Sequence, residues 1–124
     1  MKTKISIAGF LLALAVALGA FGAHALETVL TPDRMQTWDT AVLYHTWNAL
    51  GVILIALISK SYEVKLRRAA DLLLLGIFIF SGSLYTLCLS DIGFFGAITP
   101  IGGLFMIVAW IDFGIIMVRS STTN

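Results

Sequence analysis

The sequence is poor in charged residues, which make up 12% of its 124 residues, against about 25% in a typical soluble domain. So few charges could not solvate the surface of a water-soluble globule, and 59% of the residues are hydrophobic. The net charge of +1 gives no reason to expect a nucleic-acid partner. The composition therefore excludes an ordinary soluble domain and points to the lipid bilayer as the partner of most of the surface.

The sequence also lacks the residues that most often carry chemistry. Its single cysteine, Cys88, cannot form an intrachain disulfide. We find no phosphate-binding glycine loop, no His-Glu-x-x-His run and no nucleophile elbow. The two histidines, His24 and His45, have no obvious third ligand beside them. The sequence therefore predicts neither a metal site nor a cofactor, and it gives no sign of an enzyme.

What the sequence does have is four long apolar segments, at about 5–26, 40–58, 72–89 and 98–118. Each is close to the ~20 residues that an α-helix needs to cross ~30 Å of hydrocarbon. The first segment is longer than the ~7–15 apolar residues of a signal peptide, so we expect it to be a retained helix. The predicted fold is all-α: one integral membrane domain over 1–124, built as a four-transmembrane-helix bundle.

The positive charges predict an orientation in the membrane. Of the eight Lys and Arg residues, only Arg34 lies between the first and second segments. The others lie near the N-terminus, between the second and third segments, or near the C-terminus: Lys2, Lys4, Lys60, Lys65, Arg67, Arg68 and Arg119. Because positively charged loops stay in the cytoplasm, both termini are expected to be cytoplasmic.

Two Thr-Pro pairs and several small residues indicate how the helices begin and pack. Thr31-Pro32 and Thr99-Pro100 each place a capping hydroxyl before a proline, which is typical of a helix start. We expect Met35 and Trp38 to face lipid headgroups. Close packing of small residues should hold the helices together. The residues that we expect at these contacts are Ala15, Gly19, Gly22, Ala23, Gly76, Gly82, Ser83, Gly102, Gly103 and Ala109.

Polar side chains inside the apolar segments are candidate functional residues, because they are costly in lipid. They all fall in the predicted extracytoplasmic half: His24, Tyr44, His45, Asn48, Ser81, Ser83, Tyr85 and Thr99. Helical spacing places Tyr44 and Asn48 on one stripe of the second helix, and Ser81 and Tyr85 on one stripe of the third. If the stripes face each other, the four side chains form one hydrogen-bonded network. The cluster is either a pocket for a small ligand or for protons, or a set of hydrogen bonds that joins the helices.

Asp112 is the intramembrane acid on the cytoplasmic side. It could carry protons or bind an ion, as intramembrane carboxylates often do. Alternatively, it could pair with Arg119 or with a loop arginine such as Arg67, whose long side chain can reach inward.

Several of these runs carry a family resemblance. They are Gly19–Leu26, Thr40–His45, Ser81–Tyr85 and Ile98–Gly103, together with Trp110. In this order and spacing they resemble the domain-of-unknown-function 423 family, whose members include small bacterial inner-membrane proteins and human transmembrane protein 256. The resemblance implies a multi-pass protein of the bacterial inner (plasma) membrane with no assigned activity. Family members typically have histidine where this chain has Asn48, so a titrating role at that position is in doubt.

Three functions are compatible with the sequence. The first is a structural or accessory membrane component, acting with a membrane-complex partner or as a homo-oligomer. The second is a small transporter or permeation unit that uses the polar cluster and Asp112. The third is a membrane enzyme acting on a lipid or quinone, with His24, His45 and Tyr85 as acid–base groups. The absence of chemical motifs favours the first.

Overall fold

The computed structural model describes residues 1–121, and these form four long helices. They are α1 (Lys2–Leu26), α2 (Pro32–Ser61), α3 (Arg67–Ser90) and α4 (Phe94–Ser121). Each is long and apolar enough to cross a membrane, which confirms the all-helical, four-span prediction. Residues 122–124, which the predicted domain 1–124 includes, lie outside the described residues.

The helices extend beyond the apolar segments, most clearly at the start of α2. The Thr31 hydroxyl accepts a hydrogen bond from the Arg34 N–H at 3.3 Å, and Pro32 occupies the first turn, so this cap forms as predicted. The predicted cap at Thr99 is wrong, because α4 begins at Phe94 and both Thr99 and Pro100 lie inside it. The apolar residues 94–98 continue the helix back to the short turn after α3.

The helices pack mainly in chain order: α1 against α2, α2 against α3, and α3 against α4. In their most apolar windows, α2 and α3 bury 44% and 50% of their residues, whereas α1 and α4 bury 17% and 22%. The inner pair, α2 and α3, therefore forms the centre of the bundle, while α1 and α4 present most of their surface to lipid.

Small residues lie at the closest contacts. Gly102 of α4 lies against the backbone of Phe80 in α3, and a Cβ added to Gly102 would lie only 2.7 Å from the Phe80 Cα. Gly22 of α1 lies beneath the indole of Trp38. Gly82 departs from our expectation: it has open space beside it and makes no helix contact. It lies on a side of α3 that no neighbouring helix covers.

Ion pairs tie the helix ends together at both sides of the bundle. At the end that holds the α2–α3 turn, Lys4 of α1 pairs with Asp71 of α3. At the opposite end the Arg34 guanidinium donates two hydrogen bonds to Asp91 Oδ1, from Nε at 3.0 Å and from Nη2 at 2.8 Å. Asp91 has a positive φ of 55°, a conformation that aspartate tolerates better than most residues, and it ends α3.

We predict that Gly102→Ala destabilises the protein by about 1–3 kcal/mol, because the new methyl group must displace the Phe80 backbone. Gly114→Ala is the matched control, since a Cβ at Gly114 meets no atom within 4 Å. Thermal unfolding in detergent measures both. Equal midpoints for the two variants would show that α3 and α4 do not approach this closely.

Candidate functional site

The structure brings most of the predicted polar residues together in pairs, but it leaves His24 out. The His24 side chain is 88% exposed, and its Nδ1 lies 3.8 Å from the Glu27 carboxylate. His24 lies in the last turn of α1. An acid–base group formed by His24 with His45 and Tyr85 is therefore not present.

The predicted network joined Ser81 and Tyr85 of α3 to Tyr44 and Asn48 of α2, and the choice of these two α2 residues is wrong. Ser81 and Tyr85 of α3 do face α2, as expected. The residues that they meet are Ala41, whose carbonyl accepts from Ser81 Oγ at 2.7 Å, and His45, whose Nδ1 lies 3.0 Å from the Tyr85 hydroxyl. Tyr44 lies one residue before His45, about 100° around the helix, and its ring packs against Phe80 instead.

A first group of side chains, the His45 cluster, joins α1, α2 and α3. It consists of Trp38, His45 and Tyr85. The Trp38 ring packs 4.8 Å from the Tyr85 ring, and the Trp38 indole N–H donates to the Leu18 carbonyl at 2.9 Å. Trp38 is only 2% exposed, so the expectation that it faces lipid headgroups is wrong.

The Leu18 carbonyl lies in a π-helical turn of α1, Ala17–Gly22. Its backbone partner is the N–H of Ala23, five residues along the chain. A single π-helical turn changes the direction of the carbonyls in an α-helix. Here the changed turn offers an acceptor to the Trp38 indole, and so it connects the His45 cluster to α1.

His45 is buried deep within the bundle, with 2% of its surface exposed. Its Nδ1 is occupied by the Tyr85 hydroxyl, and its Nε2 has no hydrogen-bond partner among the described residues. Because α2 begins at Pro32, His45 lies near the middle of the helix, rather than in the first two turns as the apolar segment suggested. It is thus the most deeply placed titratable group of the predicted cluster.

A second group, the Asn48 cluster, joins α2 and α4. The Trp110 indole N–H donates to Asn48 Oδ1 at 3.1 Å, and Asn48 Nδ2 donates to the Tyr44 carbonyl at 2.9 Å and to Met106 Sδ at 3.4 Å. Asn48 therefore uses both ends of its amide within the protein. This hydrogen-bonding role needs no titratable group.

Beside the Asn48 cluster, α2 and α4 separate and leave an apolar groove of about 830 Å³. We call it the lateral groove. Its floor is Phe80 of α3, and the rest of its lining comes from α2 and α4: Leu43, Tyr44, Trp47, Asn48, Gly103, Met106, Ile107, Trp110 and Ile111. Tyr44 and Trp47 are 45% and 68% exposed, so the groove opens sideways toward the lipid.

The remaining predicted polar residues link α3 to α4. The hydroxyls of Ser83 and Thr99 are 2.6 Å apart, so one donates to the other, and the hydroxyl that accepts donates its own proton to a backbone carbonyl of its helix. Asp112 is 6% exposed and pairs with Arg68, whose Nε donates to Asp112 Oδ2 at 3.1 Å. The expected loop-arginine partner is thus Arg68, whereas Arg67 lies 3.9 Å from Asp71.

Sequence reasoning missed three important residues, Trp38, Trp110 and Arg68. The two tryptophans each carry one N–H donor that must find an acceptor when the ring is buried, and Asn48 in an apolar helix needs donors. Those needs are readable from the sequence, but the pairing depends on how far each helix is rotated. Arg67 and Arg68 are adjacent in the sequence. Which of them reaches Asp112 depends on the rotation of the first turn of α3.

The arrangement provides hydrogen-bonding groups and an apolar groove, with no group of three metal-ligating side chains among residues 1–121. His45 and Asp112 are buried and Tyr85 is partly buried. His45 and Tyr85 lie in the His45 cluster, whereas Asp112 belongs to an ion pair near the other end. The predicted absence of a metal remains a prediction.

Comparison with known proteins identifies the family. Residues 18–103 match the family model described as a protein of unknown function, DUF423. A UPF0382 membrane protein of Staphylococcus haemolyticus is 44% identical over 111 residues, covering 90% of this chain and 91% of its own. The chain belongs to this family. The UPF0382 membrane protein YwdK of Bacillus subtilis is 42% identical over 113 residues, covering 90% of this chain and 92% of its own.

The relatives are named as membrane proteins, and these names confirm the membrane assignment for this chain. Neither the family description nor the printed names assign an activity. No solved structure matches the chain.

We predict that Tyr85→Phe destabilises the protein by about 0.6–1.7 kcal/mol, because it removes the partner of His45 Nδ1 and leaves both ring nitrogens unpaired. Tyr44→Phe is the matched control, because its hydroxyl makes no hydrogen bond among residues 1–121. Unfolding of both variants in mixed micelles gives the comparison. A loss of stability in Tyr44→Phe as large as that in Tyr85→Phe would contradict this assignment.

Proposed function

We propose that the protein is a structural or accessory component of the bacterial plasma membrane, which acts through contacts with a membrane partner rather than through catalysis. The observation that supports this most is the use of the buried polar groups. Ser81, Ser83, Tyr85 and Asn48 each bond another helix, as expected of groups that hold a membrane bundle together.

The alternatives gain less support from the geometry. A permeation unit needs the intramembrane carboxylate to be available, and the Asp112 carboxylate is engaged by Arg68. A lipid or quinone enzyme with three acid–base groups needs His24 near His45, and His24 is exposed at the end of α1. An accessory role needs only a rigid bundle with lipid-facing surface left for a partner.

The outer helices supply such a surface. Phe10 and Phe21 of α1 are 79% and 74% exposed, and Leu104 of α4 is 61% exposed. Because α1 and α4 are the least buried helices, we expect a partner to contact one of them.

We also propose that both termini face the cytoplasm. Lys2 and Lys4, the α2–α3 turn and Arg119 all belong to the same end of the bundle, since the four helices alternate in direction. Arg34 lies at the other end, where it is paired with Asp91. This distribution follows the positive-inside rule.

Labelling of single cysteines tests the orientation. In a Cys88→Ser background, Gly93→Cys places a thiol in the α3–α4 turn, where a Cβ meets no atom within 4 Å, and Tyr62→Cys places one at the α2–α3 turn. We expect a membrane-impermeant maleimide to label intact spheroplasts at residue 93 and not at residue 62. Both should react after the membrane is opened. The reverse pattern would invert the proposed orientation.

Photo-crosslinking tests the accessory function. We replace Phe10 of α1 or Leu104 of α4 with benzoylphenylalanine and irradiate whole cells. We expect at least one position to give a discrete adduct with a protein that also co-isolates with the wild-type protein in mild detergent. Lipid adducts alone at both positions, with no reproducible co-isolating protein, would contradict the proposal. The same residue introduced at Gly114, another uncovered position of α4, controls for random collision in the membrane.

A further inference from the structure

The lateral groove has the dimensions and lining of a small-molecule site. Its volume of about 830 Å³ falls within the ~300–1,000 Å³ typical of ligand pockets. Such pockets are mostly apolar, with a few polar groups that fix the ligand's orientation. Here the aromatic lining consists of Tyr44, Trp47, Phe80 and Trp110.

The groove contains two of the three tryptophans of the chain, one on each of its two main helices. Trp47 lies midway along α2 (Pro32–Ser61), and it is 68% exposed there. Trp110 also lies inside α4, well away from both ends. The groove therefore presents an indole ring from each of its two main helices to a molecule that enters from the lipid.

A polar group without a partner lies beside these rings. The Tyr44 ring packs against the Phe80 ring at a tilt of 43°, with 4.8 Å between centroids, and its hydroxyl has no hydrogen-bond partner among residues 1–121. An unpaired hydroxyl in hydrocarbon is costly, because no water is available to bond it. A ligand oxygen in the groove would supply the missing acceptor.

The lining also argues against a transmembrane helix as the occupant. Helices approach each other in membranes through small residues. Apart from Gly103, the groove is lined by bulky side chains such as Trp47, Met106 and Trp110. A flat molecule can lie between aromatic faces that keep a helix backbone at a distance.

We propose that the lateral groove binds a lipid-soluble molecule with a flat, oxygen-bearing ring, of the quinone class. The ring lies among Tyr44, Trp47 and Trp110, and a ring oxygen accepts a hydrogen bond from the Tyr44 hydroxyl. The apolar tail leaves through the lateral opening and stays in the bilayer. This binding goes beyond the accessory function, and it involves no electron transfer by the protein.

Tryptophan quenching by decylubiquinone in phosphatidylcholine nanodiscs tests the proposal. Gly103→Leu fills the groove, and a Cβ at this position makes only ordinary contact with Phe80, at 3.6 Å. Gly114→Leu adds the same side chain to α4 where no atom lies within 4 Å. We expect saturable quenching in the wild type and in Gly114→Leu, and an affinity about tenfold or more lower in Gly103→Leu.

Tyr44→Phe provides a test that does not depend on how well the groove-filling variant folds. Its hydroxyl has no partner in the protein, so its removal should leave the fold intact. We expect the affinity for decylubiquinone to fall about 2–10-fold, as for one lost hydrogen bond. Decylbenzene, which has the ring and tail without the oxygens, should compete weakly.

Three results would overturn the proposal. The first is quenching that rises linearly and equally in all variants, as expected if decylubiquinone only partitions into the bilayer. The second is unchanged affinity in Tyr44→Phe. The third is displacement of decylubiquinone by decylbenzene at equal concentration, which would show that the groove binds any apolar chain. None of these results would alter the crosslinking test of the accessory function, so the two proposals can fail independently.

Discussion

The bundle is organised by the lack of water at membrane depth. A backbone or side-chain polar group that enters the hydrocarbon must find its partner within the protein. The side chain of Ser81 finds it in a carbonyl of α2, and those of Ser83 and Thr99 find it in each other across α3 and α4. Because each of these bonds has a required geometry, it fixes the rotation of the helices that it joins.

Close packing then decides which helices meet and which do not. Gly102 allows α4 to rest on the backbone of α3 at Phe80. Between α2 and α4 the corresponding positions carry bulky residues, and the Trp110 ring spans the gap to reach Gly51 and Asn48. Both α2 and α4 pack on α3, but their large side chains keep them apart from each other, and the lateral groove lies between them.

The sequence was sufficient to predict the number of spans and the kind of residue at the contacts. Hydrophobic length determines the first, and the need for close backbone approach determines the second, as at Gly102. The Thr31 cap was predictable because its chemistry is local to residues 31–34. The same pattern at Thr99 was misleading, because a local signal says nothing about apolar residues before it that continue the helix.

The pairing of the polar residues could not be predicted in the same way. Ser81 and Tyr85 were placed on the correct side of α3, but His45 and not Tyr44 meets Tyr85. These two neighbours differ by about 100° of rotation, and only the packed structure fixes that angle. The role of Trp38 depends on the π-helical turn of α1, for which the sequence gives no recognisable signal.

The length of α2 has a mechanical consequence. Its 30 residues span about 45 Å, which exceeds the ~30 Å thickness of the hydrocarbon. The polar turns that follow Pro32 remain packed on α1 and α3 through Trp38, and the Arg34–Asp91 pair braces them. Since α2 continues without a break to Ser61, these first turns form one rigid lever with the part of the helix that carries His45 and Asn48.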